Sequence, residues 1–144
     1  MPNKSKQKGT RWERDLVTIL EDKVNGAIVN RIAGSGALGT VLNEPLLQGD
    51  LQAKFVGFSR PFRIEAKTGY GGENQHVVKR EWLNKIMMEA NNNFQFPALA
   101  CKFSGARRRD GTQYFIALDL NTFCDIINYV GYLFTAVENK RDGN

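Results

Sequence analysis

"PFRIEAKTG", Pro61 to Gly69, is the stretch on which the reading of this chain turns. Strand spacing puts Arg63, Glu65 and Lys67 on one face and Ile64 and Ala66 on the other, and a glycine follows directly. Taken alone, the charged face has an ordinary explanation, because opposite charges often pair on the wet side of a half-exposed strand. Ten residues later "KREWLNKIMMEANN", Lys79 to Asn92, carries Trp82, Leu83, Ile86, Met87 and Ala90 on one face and reads as an amphipathic helix. The step from strand to helix then predicts a crossover to a strand near Leu99, with parallel pairing.

Working outward, "PALACKF" and "QYFIALDL" read as two further strands joined by a turn through Asp110-Gly111. "NTFCDIINYVGYLF" reads as a largely apolar last helix. Upstream, Trp12, Leu16, Ile19, Leu20 and Val24 recur at helical spacing from Thr10 to about Val24, and Asn25-Gly26 stops the helix. "AIVNRIA", Ala27 to Ala33, is a strand running into the loop "GSGALG", and another strand starts near Asp50. The order is helix, three strands, helix, two strands, helix. It implies an α/β fold with a mixed central sheet between helices.

At 144 residues, with no repeat and no linker, the chain fits one domain able to bury a core without disulfides or a structural metal. We expect a flexible basic tail over 1–9, a single domain over 10–137 and a polar tail over 138–144. No apolar run reaches membrane-spanning length, which predicts a soluble protein with no membrane partner. The basic start lacks the apolar stretch and cleavage site of a secretory signal, so the expected location is cytoplasmic. Cys101 and Cys124 form no metal-binding or disulfide pattern and read as buried thiols. His76 is the single histidine, so no histidine cluster can hold a metal, and it reads as a surface residue.

Twenty Lys and Arg against fifteen Asp and Glu give a formal net charge of +5, which favours a polyanionic partner. The charge is clustered, with Lys4, Lys6, Lys8, Arg11 and Arg14 at the start and Arg107, Arg108 and Arg109 together later. That suits phosphate contacts, so nucleic acid leads the partner classes and no small-molecule substrate is expected.

If the strand starting at Asp50 pairs with "RIEAK", Asp50, Glu65 and Lys67 can meet at one point. Two close carboxylates repel unless a cation lies between them, and hard oxygen ligands suit Mg2+ better than zinc. Asp50 and Glu65 are the expected metal ligands. Lys67 then stands where an ammonium can orient attacking water or offset the charge that builds on a phosphate.

Taken in order, "KGTRWERDLVTILE", "RIAGSG", "GD" and "IEAK" resemble the PD-(D/E)xK nuclease superfamily, and within it the archaeal-type Holliday-junction resolvases. The resemblance runs from Lys8 to about Lys67. Gly49 stands where the motif prefers proline, and "ALGTVLNEPLLQ" is a longer spacer than short members carry. The resemblance implies a restriction-endonuclease-like fold, Mg2+ with Mn2+ as a substitute, and a homodimer acting on four-way DNA junctions. It also implies that Glu13 joins Asp50 and Glu65 at the metal, that the Ala66 carbonyl is a further ligand, and that Lys67 is the catalytic lysine. Ser35 becomes a loop residue near the scissile phosphate. Lys8, Arg11, Arg14, Arg31 and Arg107 to Arg109 become the nucleic-acid contacts.

Other readings stand beside these. "TRWE" from Thr10 to Glu13 is also a capping box, in which Glu13 only closes a helix N-terminus. Asp50 after Gly49 also fits a turn. "GSGALG" matches a dinucleotide fingerprint, although Pro45 interrupts the helix that should follow. Arg107 to Arg109 suit a solubilised hairpin tip as well as phosphates. Gly69, Gly71 and Gly72 allow either a close approach to a nucleic-acid backbone or slack before the second helix. At the level of function, a restriction-like or repair nuclease for linear duplex shares the same site. A non-catalytic nucleic-acid-binding module would need only an ordinary charged strand face. The last helix offers Phe123, Ile127 and Phe134 as a dimer surface.

Overall fold

A computed structural model of the chain describes residues 4–32, 50–105, 107 and 110–143, with the backbone alone at Ser5, Lys6 and Asp50. Their elements are α1 (Lys4–Lys23), β1 (Ile28–Arg31), β2 (Asp50–Lys54), β3 (Phe62–Thr68), α2 (Arg80–Asn92), β4 (Phe96–Lys102), β5 (Tyr114–Ala117) and α3 (Leu120–Asp142). The element order is the expected one. "GSGALG", Ser35, Arg108 and Arg109 lie outside the described residues.

The five strands form one sheet in chain order. β1 with β2, β2 with β3, and β4 with β5 are antiparallel, whereas β3 and β4 are parallel. α2 makes the parallel crossover that the step after Lys67 predicts. This is a mixed sheet flanked by helices, an α/β fold consistent with a restriction-endonuclease-like domain.

The alternation along β4 explains the two layers. Ala98 and Ala100 face one side, where Trp12 and Leu16 of α1 pack with Val29, Leu51, Ala53 and Ile64. Leu99 and Cys101 face the other, where Trp82 and Ile86 of α2 cover them. Small alanines under α1 let its indole come close enough for Trp12 Nε1 to donate to the Ala100 carbonyl at 3.0 Å, so the burial of Trp12 leaves no polar atom of the ring unpaired.

Several local expectations are corrected. α1 begins at Lys4 rather than Thr10, so Thr10 lies inside the helix and the capping box of "TRWE" does not form. α3 continues beyond Phe134 to Asp142, and its N-cap is Asp119, whose Oδ2 accepts from the Thr122 N–H at 3.0 Å. Cys101 is buried but Cys124 is exposed. His76 is half-buried rather than on the surface, with its ring edge-on to Phe115 at 5.5 Å. Gly71 has φ +119° and a Cβ there would come within 2.8 Å of the Gln75 carbonyl, so this glycine serves a close approach within its own loop.

Among the described residues α3 is tied to the fold by the aromatic anchor Tyr129 and by Thr122, buried in its first turn. Tyr129 stacks on Phe58 at 5.1 Å, its hydroxyl donates to the Gly57 carbonyl and accepts from the Ser59 N–H, and the β2–β3 turn is thereby held to the helix. Much of the helix's apolar surface remains exposed, including Phe123, Ile127, Tyr132 and Phe134. No helix among the described residues is long and apolar enough to cross a membrane.

Candidate active site

β3 enters the sheet between β2 and β4, which buries its charged face under α2. Glu65 is 1% exposed and Lys67 6%, far from the wet strand face that the ordinary explanation of their alternation needs. Burying a carboxylate and an ammonium is costly unless they are paired, and here they are. Lys67 Nζ lies 3.4 Å from Glu65 Oε1.

Lys67 is held on its other sides by aromatic rings. Its ammonium lies 4.4 Å from the centre of Trp82 and 5.7 Å from that of Tyr70. An electron-rich ring face attracts a cation most strongly where water is scarce, so the two rings hold the ammonium in place beside the carboxylate. Beneath it, Cys101 occupies the neighbouring register position on β4. Burial pushes the Cys101 thiol up to about 11, with Lys67 opposing and Glu65 adding to that rise. Cys101 is a packed thiol, not a nucleophile.

Asp50 opens β2, and its Cα stands opposite that of Glu65 in the antiparallel register. A directly opposed pair brings two Cα atoms to about 4.5–5.5 Å, the closest approach that neighbouring strands offer. Among the described residues β2 starts at this pair, so Ala66 and Lys67 run on past its end. The site therefore sits, among the described residues, at the first pair of the β2–β3 ladder.

Glu65 Oε2 is one of several buried side-chain atoms among the described residues without a hydrogen-bond partner, Glu13 Oε2 and Glu89 Oε2 included, while its Oε1 takes both nearby ammonium groups. An orphaned carboxylate oxygen opposite a second acidic residue fits a divalent cation, which would take Glu65 Oε2 together with Asp50 and the Ala66 carbonyl.

Glu13 is placed differently. It is buried on α1 and meets Arg31 of β1 at 2.8 Å, across the strand next to Asp50. Burial pushes its carboxyl above the ordinary value of 4.5, partly offset by the charges of Arg31 and Arg14. Among the described residues, which leave out the side chain of Asp50, no three His, Cys, Asp or Glu side chains form a group that could hold a metal.

Lys8, Arg11 and Arg14 are exposed along α1, spaced so that neighbours in the series share a helix face. Arg107 is exposed at the β4–β5 turn, where its N–H donates to Asp110 Oδ2 at 2.9 Å.

The residues that sequence reasoning missed come from α2. Lys85 Nζ lies 3.4 Å from Glu65 Oε1 and 3.7 Å from Glu89 Oε1, and Glu89 in turn meets Arg63 at 3.2 Å. The signal was present: Lys85 and Glu89 fall three and seven residues after Trp82, on the stripe that packs against the sheet.

A model of the family described as "Phage putative PDDEXK endonuclease" matches residues 4–142, nearly the whole chain and every residue discussed above. No curated protein matches the chain.

Proposed function

The chain belongs to this PD-(D/E)xK nuclease family, and from that premise we propose that it is a Mg2+-dependent endonuclease that resolves four-way DNA junctions as a homodimer. The observation that supports the nuclease chemistry is the buried Glu65–Lys67 pair, with one Glu65 oxygen lacking a hydrogen-bond partner among the described residues and Asp50 opposite in register. Nucleases of this superfamily generally use divalent metals. Asp50, Glu65 and the Ala66 carbonyl would hold the ion, with Glu13 as the further acidic residue.

The ion supplies positive charge against the phosphate and makes water a better nucleophile. Lys67 contributes a second positive charge, fixed in direction by Glu65 and Trp82. It orients the attacking water and offsets the charge that builds on the phosphoryl oxygens. Because Trp82 and Tyr70 exclude solvent from the ammonium, that charge is worth more than it would be in bulk water. The exposed cations of α1 and Arg107 contact the DNA backbone outside the reacting phosphate, which fixes register without reading bases.

Preference for four-way junctions rests on the ordered resemblance from Lys8 to Lys67, and on the apolar face of α3 as a surface for a second copy. The test is cleavage of a synthetic four-way junction and a matched linear duplex, with Mg2+ and with chelator. We expect Mg2+-dependent, paired nicks in the junction. Equal cutting of the duplex would make the protein a general nuclease, and no cutting of either with Mg2+ or Mn2+ would reduce it to a binding module.

A further inference from the structure

The carboxylate of Glu65 meets two ammonium groups on the same oxygen, Lys67 at 3.4 Å and Lys85 at 3.4 Å. One carboxylate needs only one cation to neutralise it, and two close like charges repel each other. The two lysines are held in unequal ways. Lys67 is almost fully buried between Glu65 and the rings of Trp82 and Tyr70. Lys85 is 23% exposed on a helix and has a second carboxylate, Glu89, at 3.7 Å one turn along that helix.

Resting on the reading of Glu65 as a metal ligand, we propose that Lys85 is an exchangeable counter-ion. It neutralises Glu65 while the divalent ion is absent and turns to Glu89 when the ion binds, so the Lys85–Glu89 pair sets the affinity of the site for metal. A divalent ion at Glu65 adds two positive charges beside both lysines. The one able to leave without losing its ion pair is Lys85. Only a rotation of its long side chain is needed, because Glu89 is already in reach. Arg63, ion-paired with the other oxygen of Glu89 at 3.2 Å, keeps that carboxylate in position to receive it.

The experiment is calorimetric titration of the DNA-free protein with Mn2+, repeated with Mg2+. Lys85→Met removes the competing ammonium and should tighten Mn2+ binding about tenfold. Glu89→Gln removes the receiving carboxylate and should weaken it. In the double variant Glu89→Gln should have no further effect, because its influence runs through Lys85. An independent effect of Glu89→Gln in the Lys85→Met background would mean that each residue acts only through its own field, and would overturn the exchange. Unchanged or weaker Mn2+ binding by Lys85→Met would also overturn it. If the unaltered protein binds neither ion, the metal reading of Glu65 falls and the counter-ion role falls with it. Should Lys85→Met fail to fold, Lys85→Gln removes the same charge with a polar side chain and must give the same sign.

Discussion

The ammonium of Lys67 lies over the indole of Trp82, 4.4 Å from the ring centre, so the second helix as well as the strand determines where this charge stands. Trp82 is therefore more than filler in the layer between α2 and the sheet, although it packs there with Ile86, Leu99 and Cys101.

Trp82→Phe keeps an aromatic face, whereas Trp82→Leu keeps only apolar volume. Both should lose stability through the space left behind, with the leucine variant losing about 2–4 kcal/mol. A desolvated cation–ring contact is worth about 2 kcal/mol. Trp82→Leu should thus lower the single-turnover rate per folded molecule while DNA binding holds, and Trp82→Phe should retain most of it. Equal rates in the two variants, after correction for folded fraction, would show that the ring does not position Lys67.

The pH dependence of stability follows from Glu13. Burial raises its carboxyl above the ordinary 4.5. A group with a raised value in the fold stabilises it fully below the unfolded value, and that contribution is lost as pH rises through the folded value. Glu13→Gln cannot titrate. The unaltered protein should therefore lose stability relative to Glu13→Gln as pH rises above about 4.5, and denaturant titrations across the acidic range read the difference. Arg31→Gln should move the Glu13 transition to higher pH, which carbon-detected NMR of the carboxyl follows directly.

The order of elements was legible because each carries its own signal: a period of two along β3, a continuous apolar run along β4, and a period of 3.6 along α1 and α2. The candidate site residues of β3 were legible too, since Glu65 and Lys67 share a face in any strand register. Glu13 was only half legible. Its local spacing from Thr10 suggests a cap, but its actual partner is Arg31, brought to it by the packing of α1 on the sheet, which no local pattern encodes. Lys85 and Glu89 were passed over because charges on a helix usually mark its wet face. Here that face packs over the charged side of β3, and the sheet supplies their partners. The early start of α1 was hidden because Lys4 to Gly9 contains no apolar residue to mark a period.

The cations of α1 give a prediction about binding alone. Lys8, Arg11 and Arg14 are exposed and distant in sequence from Glu65 and Lys67. Replacing Lys8 and Arg11 with Gln should weaken DNA binding similarly for all sequences and reduce the slope of log affinity against log salt by about one unit for each phosphate no longer neutralised. Cleavage at saturating DNA should remain. A slope identical to that of the unaltered protein would remove this helix face from the DNA interface.

The last prediction joins the apolar face of α3 to the choice of substrate. Phe123, Ile127 and Phe134 are each at least half exposed on a helix tied to the fold by Tyr129 and Thr122. Glu replacing Ile127 and Phe134 together should leave the fold intact, since neither side chain is buried in the single chain. If this face joins two copies, the same change should convert dimers to monomers in sedimentation. A two-fold dimer holds two copies of the Asp50, Glu65 and Lys67 site at a fixed separation, and a four-way junction presents two equivalent strands to meet them. A linear duplex does not. Backbone contacts respond to charge in both substrates, so discrimination must come from the spacing of the paired sites. The monomeric variant should then nick without pairing, and excess linear duplex should compete with the junction far better than it does for the unaltered protein. Paired nicks and undiminished junction preference from a proven monomer would show that neither the α3 face nor two-fold symmetry selects the substrate.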